Sequence, residues 1–325
     1  MKIAIGGASG LVGQTLLELL AQDPWTKHQV VAFSSERSAG GEVLRGGERL
    51  PLQPLPEDPP IGVEVLLSAL PNDVAKRIVP RWRDANVLVI DKSSVFRMQY
   101  DVPLVIPEVN GKIVERSHRL IATPNCTTTP VAVALKPIRD EVGITDVRVA
   151  SYQSVSGAGS AAMDAWAAEE RGHAVKNSPL GATMHRNVIP LIGGLDEHGH
   201  SSEERKLSRE LSKILDLIGL PVESTSVRVP VAAGHGMAVE VGTEKDITPE
   251  QAIAWWKAMP GVVVHTNPGK PPTPLDAAGN DDVHIGRVRR PISRKNALLF
   301  WVVSDNLRKG AATNSLQILK TWMSL

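Results

Sequence analysis

Across 325 residues the chain is 42% hydrophobic and holds one cysteine, 36 Lys and Arg, and 35 Asp and Glu. A chain of this size can bury a large core, most naturally as two domains; one thiol excludes an intramolecular disulfide framework, and a formal net charge of +1 provides no field for nucleic acid or an anionic membrane. No apolar run approaches the roughly 18 residues of a membrane span, and the single cysteine and the absence of a secretory leader make the cytoplasm the expected compartment.

Residues 1–20 read as strand, glycine turn and helix: Lys2-Ile3-Ala4-Ile5, then Gly7-Ala8-Ser9-Gly10-Leu11-Val12-Gly13, then Leu16, Leu17, Leu19 and Leu20. Lys2 ahead of apolar residues imitates a leader, but the glycines, the serine and Glu18 interrupt it. Glycines 7, 10 and 13 allow a tight turn, close approach of a pyrophosphate and packing of helix on strand, with the helix N-terminus facing the phosphates. The next strand, 29–33, ends in Ser34-Ser35-Glu36-Arg37-Ser38. Small hydroxyls with an arginine suit the 2′-phosphate of NADP, whereas Glu36, about 20 residues past the glycines, stands where an NAD-type acid is expected. NADP is the reading preferred.

A strand at 63–69, a helix at 73–83 and a strand at 87–90 continue in βαβ order, which predicts a parallel sheet covered by helices. Leu120-Ile121-Ala122 then runs into Thr123-Pro124-Asn125-Cys126-Thr127-Thr128-Thr129-Pro130, which sets Cys126 at a helix N-terminus. Unpaired N–H groups and the positive helix end there favour a thiolate, although a lone cysteine is more often a small buried hydrophobe. From 146 the texture changes. A long alternating strand to 156 is followed by helices at 158–170 and 201–217 and by strands at 225–231, 237–241, 283–289 and 297–303, which predict one larger mixed or antiparallel sheet. His198-Gly199-His200 has a metal-ligand spacing but no further ligand in register, and reads as a solvated loop with no metal. The basic run 287–295 reads as a strand and turn with a solvated face. A last helix spans 307–323, capped by Asp305 or Asn306.

In this order the chain resembles the aspartate-semialdehyde dehydrogenase family over nearly its whole length. The resemblance rests on 7–13, Arg37-Ser38-Ala39-Gly40, Asp91-Lys92-Ser93-Ser94-Val95-Phe96-Arg97-Met98, Val105-Ile106-Pro107-Glu108-Val109-Asn110, Pro124-Asn125-Cys126, Tyr152-Gln153-Ser154-Val155-Ser156-Gly157-Ala158-Gly159, Asn187-Val188-Ile189-Pro190, Glu203-Glu204-Arg205-Lys206, Arg228-Val229-Pro230 with Gly234-His235, and Asp305 through Ala312. It implies an α/β chain of two domains. The first is a Rossmann-type parallel-sheet domain for NADP, 1–125 completed by 305–325. The second is an α+β catalytic and dimerisation domain with a mixed sheet, 126–304, after which the C-terminal helix returns to the first. The implied reaction is reversible conversion of L-aspartyl 4-phosphate to aspartate 4-semialdehyde, on the route to lysine, methionine and threonine, in a homodimer or homotetramer.

The resemblance also implies roles. Cys126 is the nucleophile, His235 the acid/base and Gln153 the residue that positions the acyl intermediate. Arg97, Asn125 and Lys206 hold phosphate, Arg228 the α-carboxylate and Glu203 the α-ammonium. Cofactor contacts fall on Gly7, Ser9, Gly10, Leu11, Val12, Gly13, Ser34, Ser35, Arg37, Ser38, Gly157 and Asn306. The chemistry agrees with the side chains: a thiolate displaces phosphate from an acyl phosphate to give a thioester that accepts hydride. One departure stands out, since the family usually has Ser after the histidine and this chain has Gly236. N-acetyl-glutamyl-phosphate reductase shares the plan and the chemistry on a substrate without a free α-ammonium. A decayed dinucleotide-binding relative, and a thiol hydrolase using Cys126 and His235 alone, complete the alternatives.

Overall fold

The computed structural model describes residues 1–325, which separate into two units: Met1–Pro124 with Ala311–Leu325, and Asn125–Gly310. The first unit contains β1 (Lys2–Gly6), α1 (Leu11–Leu20), β2 (Gln29–Ser34), β3 (Glu42–Arg45), β4 (Glu48–Pro54), β5 (Val65–Ser68), α2 (Asn72–Asp84), β6 (Leu88–Asp91), α3 (Pro107–Asn110) and β7 (Leu120–Ala122). They build one seven-stranded sheet in the order β3-β4-β2-β1-β5-β6-β7, parallel except for the β3–β4 hairpin. β5 and β6 are buried throughout and apolar up to their last residues, Ser68 and Asp91, as expected of parallel strands inside an α/β sheet. Leu16, Leu17, Leu19 and Leu20 of α1 share a core with Ile3, Ile5 and residues of the C-terminal helix, Thr313–Met323, which belongs to this unit as expected.

The β3–β4 hairpin is absent from the sequence reading. Its anchor is Arg45, whose guanidinium is buried and donates to the carbonyls of Leu20, His28, Trp25 and Thr26. Helix α1 has no basic residue in its own last turn, so Arg45 supplies the positive group that its open carbonyls attract.

In the second unit follow α4 (Thr128–Val142), β8 (Asp146–Gln153), α5 (Ser160–Glu170), α6 (Ser202–Ile214), β9 (Val222–Arg228), β10 (His235–Gly242), α7 (Pro249–Lys257), β11 (Val262–His265), α8 (Pro274–Ala277), β12 (Val283–Arg289) and β13 (Ala297–Ser304). The six-stranded sheet runs β11-β12-β13-β10-β8-β9 and is mixed, with β8–β9 and β11–β12 parallel. β8 alternates with period 2: Val147, Val149, Ser151 and Gln153 are buried, while Arg148 and Tyr152 face out. Trp256 of α7 helps to close the inner face, its Nε1 donating to Ala134 O at 2.8 Å and its ring 5.1 Å from that of Phe300. The outer face is an open groove of about 720 Å³ lined by Arg148, Ala150, Ala238, Glu240, Arg289 and Trp301.

Several boundaries differ from the sequence reading; the strand expected at 225–231 is β9, Val222–Arg228. β8 ends at Gln153, because Val155–Ala158 forms a short 3₁₀ turn. The last helix opens with a π-helical turn, Arg308–Ala312, before the regular α9 (Thr313–Met323). Asp305 is its cap, with Oδ1 accepting from the N–H groups of Leu307 (2.8 Å) and Arg308 (3.0 Å). No helix is long and apolar enough to cross a membrane.

Candidate active site

Helix α4 begins at Thr128, so Cys126 lies just ahead of it, half-buried. The turn is organised by Asn125, whose Oδ1 accepts from Thr127 N (2.9 Å) and Thr127 Oγ1 (2.7 Å) and lies 3.7 Å from Cys126 Sγ. Behind the cysteine, a Cβ on Gly310 would sit 2.9 Å from that of Cys126, so only glycine lets the departing chain pass this close. Asn125 is held in turn by α6. Glu203 Oε1 accepts its Nδ2 at 3.0 Å, and Glu210 Oε2 accepts its main-chain N–H at 2.6 Å. Lys206 pairs with the other oxygen of Glu203 at 3.0 Å. Burial alone would push the Glu203 carboxyl up, but Lys206, then Asn125 and Arg228, bring it below the usual carboxylate range.

Three strand ends meet at one edge of the six-stranded sheet. Gln153 closes β8, Arg228 closes β9 directly beside it in register, and His235 opens β10. Arg228 donates from Nη1 to Ser154 O at 2.8 Å. Burial lowers its pKa, while the charges of Cys126 and Glu203 work the other way, so the guanidinium is electrostatically coupled to both. Gln153 is buried and donates from Nε2 to Ser151 Oγ at 3.1 Å. His235 is fully buried, with Nδ1 accepting from Ser154 N at 3.1 Å and standing 3.0 Å from Ser154 Oγ, whereas Nε2 has no partner. Burial first and Arg228 second lower its pKa to about 3, so the imidazole is neutral near pH 7. A Cβ on Gly157 would come within 3.0 Å of both His235 Nε2 and Arg228 Nη1, so the exposed glycine keeps the space in front of them open.

Asn306 is buried behind this edge. Its Oδ1 accepts from Ser154 Oγ and Gly234 N, each at 2.9 Å, and its Nδ2 donates to Ser156 Oγ at 3.0 Å. The amide thus ties the turn after β8 to the turn before β10, which together hold His235. Ser154 and Ser156 were not singled out from sequence, and only their position beside Gln153 hinted at them. The imidazoles of His198 and His200 are exposed, and Asp196 Oδ1 accepts both main-chain N–H groups.

In the first unit, Gly7 adopts φ +80°, where a Cβ would meet Ala69 O at 2.7 Å, and a Cβ on Gly13 would lie 2.3 Å from Gly7 O. Helix α1 has no side-chain cap and no acid in its first turn, so Leu11 and Val12 open onto a positive helix end lined by Ser9 and Gly10. This cradle fits a pyrophosphate. Beyond β2, Ser34 is buried and donates to Ser35 O, while Ser35, Glu36 and Arg37 are exposed and Ser38 is half-buried. Arg97 also belongs to this unit, with its guanidinium buried and Nη2 donating to Lys92 O at 2.5 Å.

Residues 2–117 match the family model for the semialdehyde dehydrogenase NAD-binding domain, and residues 135–309 that for the semialdehyde dehydrogenase dimerisation domain. An aspartate-semialdehyde dehydrogenase of Aquifex aeolicus is 38% identical over 329 residues, covering 98% of this chain and 96% of its own. The chain belongs to the aspartate-semialdehyde dehydrogenase family. A member from Bacillus subtilis is 35% identical, with 100% of this chain and 98% of its own covered. The crystal structure of aspartate semialdehyde dehydrogenase II from Vibrio cholerae complexed with ASA is similar at a TM-score of 0.94 and 37% identity, over 99% and 98% of the two chains. The segment that matches the NAD-binding domain, 2–117, contains the glycine cradle of the first unit.

The fold gives a reason for glycine at 236. A Cβ there would lie 2.2 Å from Cζ2 and 2.4 Å from Cη2 of Trp301, whose indole lies 5.6 Å from the ring of Tyr152. Trp301 occupies the volume that a side chain at 236 would need, so the two positions are read together.

Proposed function

We propose that the protein is an NADP-dependent, phosphorylating aspartate-semialdehyde dehydrogenase, with cofactor binding in 1–125 and 305–325 and catalysis in 126–304. The observation that carries this reading is the convergence of Gln153, Arg228 and His235 at one end of the second sheet, where the buried Arg228 guanidinium feels the charges of both Cys126 and Glu203. A cation beside the sulfur favours negative charge there, and a cation and an anion in one pocket match the α-carboxylate and α-ammonium of an amino acid.

In the phosphorylating direction, Cys126 Sγ adds as a thiolate to the aldehyde carbon, with Arg228 and Glu203 holding the two α-substituents. The hydrogen bond from Ser154 N to Nδ1 assigns the proton of neutral His235 to Nε2, so that His235 presents an N–H to the oxyanion of the thiohemiacetal. The nicotinamide, when bound, supplies the hydride acceptor or donor. Gln153 fixes the carbonyl of the resulting thioester. Phosphate held by Asn125 and Lys206 then attacks that carbonyl; the C–O bond of the acyl phosphate forms, the C–S bond breaks, and the thiolate is regenerated. Ser35, Arg37 and Ser38 favour NADP, with Ser34 shaping their turn.

The open face of the second sheet, within the segment that matches a dimerisation domain, supports a homodimer; a homotetramer would need a second, different interface. A catalytic thiol suits the cytoplasm. Phosphate-dependent NADPH formation with aspartate semialdehyde, run beside N-acetyl-glutamate semialdehyde, tests the reading. Turnover with the first is expected. Turnover with the second alone would move the assignment to the acetylated substrate, although Glu203 then lacks a cation to recognise. Deuterium from labelled NADPH should appear in the aldehyde, and its absence would overturn the redox assignment.

A further inference from the structure

Helix α6 carries a second buried acid on the Glu203 face. Glu210 follows Glu203 by seven residues, two helical turns, so the two side chains project the same way. They are only 7% and 2% exposed, although helix glutamates are ordinarily solvated. Between them they divide one residue: Glu203 takes the side-chain amide of Asn125, and Glu210 takes its main-chain N–H at 2.6 Å, across 85 residues of sequence. With both groups fixed, Asn125 Oδ1 has one direction left, toward Thr127 N, Thr127 Oγ1 and Cys126 Sγ.

We propose that Glu210 is a positioning residue for Cys126, acting through the main-chain amide of Asn125, so that its loss lowers turnover and leaves substrate binding in place. The inference rests on the thiol mechanism above. Asn125 precedes the nucleophile, and a rotation about its backbone moves Sγ relative to Arg228 and to the reacting carbon. Alignment of this kind governs rate steeply, since a displacement of about 1 Å costs on the order of 10²-fold.

The test compares Glu210→Ala and Glu210→Gln in the full-length protein by kcat, by KM for semialdehyde and phosphate, by the pH profile of Cys126 alkylation with iodoacetamide, and by thermal midpoint. Glu210→Ala should lower kcat about 10- to 100-fold with each KM within about threefold, and should slow alkylation. Glu210→Gln keeps an oxygen that accepts the N–H, and should stay within about threefold of the parent protein. Wild-type kcat in folded Glu210→Ala, equal losses in both variants, or a raised KM in place of a lowered kcat would each overturn the proposal. If Glu210→Ala does not fold, Glu210→Asp withdraws the acceptor by about 1.5 Å, one C–C bond. The same kcat loss is then expected, and wild-type kcat would overturn the proposal. Alkylation requires no substrate. A parent protein inactive on aspartate semialdehyde, whose alkylation nonetheless slows in Glu210→Ala and not in Glu210→Gln, would sink the substrate assignment and uphold the positioning role.

Discussion

The cradle of the first unit is made of backbone: glycines 7, 10 and 13 clear the way and the end of α1 supplies the positive potential. The pocket of the second unit is made of side chains from separate strands and helices, each held by another: Asn125 by Glu203 and Glu210, Arg228 by Ser154, His235 by Ser154, and Ser154 by Asn306. The first kind of site tolerates changes in the side chains around it but no added Cβ at its glycines. The second kind fails when any one partner is removed, because a buried polar group is then left unpaired.

The sharpest way to divide the two sites is Cys126→Ser, which should reduce phosphate-dependent NADPH formation by at least about 10³-fold while NADP affinity, read by fluorescence titration, stays within about twofold. Substantial turnover in this variant would break the covalent mechanism. Arg228→Ala should lower kcat/KM for the semialdehyde by about 2–5 kcal/mol, roughly 30- to 5,000-fold, because the substrate carboxylate loses its cation. An unchanged kcat/KM would remove Arg228 from the site.

Acid should distinguish the side-chain site through His235. Its folded-state pKa is lowered from 6.5 to about 3, so between these values the unfolded chain binds the extra proton. Stability therefore falls as pH drops below about 6.5, by up to about 1.4 kcal/mol per pH unit from this group. His235→Gln should flatten that part of the curve in urea titrations at pH 5 and 7.5, and parallel curves would contradict the burial argument. Gly236→Ser should cost about 1–3 kcal/mol by overpacking against Trp301. Adding Trp301→Val should restore most of the thermal midpoint, and a stable single variant would show that the indole moves aside freely. The smallest effect is expected at the exposed edge of the backbone site, where Arg37→Ala should raise KM for NADP about tenfold, about 1.4 kcal/mol, with KM for NAD unchanged.

This contrast also explains what could be read from the chain. The turn at 7–13 and the strands flanking it were legible because their determinants are local: glycine spacing, apolar runs and a periodic helix. The β3–β4 hairpin escaped because its strands are short and largely polar, with Pro51 and Pro54 in the second, and because Arg45 anchors it to carbonyls outside the hairpin. Cys126 was marked by its place ahead of a helix, whereas Gln153, Arg228 and His235 were named through the family resemblance. Nothing in the spacing of Arg228 and His235 foretells that β9 ends and β10 begins at the same end of the sheet. Glu210 had a local trace, its seven-residue offset from Glu203, but that offset acquires meaning only once the main chain of Asn125 lies against it. Asn306 was expected at the cofactor, and its buried amide is engaged by Ser154, Ser156 and Gly234.

The glycine that lets the departing chain lie against Cys126 has an architectural corollary. The second unit starts at Asn125 and stops at Gly310, and these ends adjoin, since a Cβ on Gly310 would come within 2.9 Å of Cys126 Cβ. A module whose termini touch can be spliced into another chain at almost no loop-closure entropy, and lifted out again as readily. Residues 125–310 thus have the form of an insert, and Cys126 stands at the splice point.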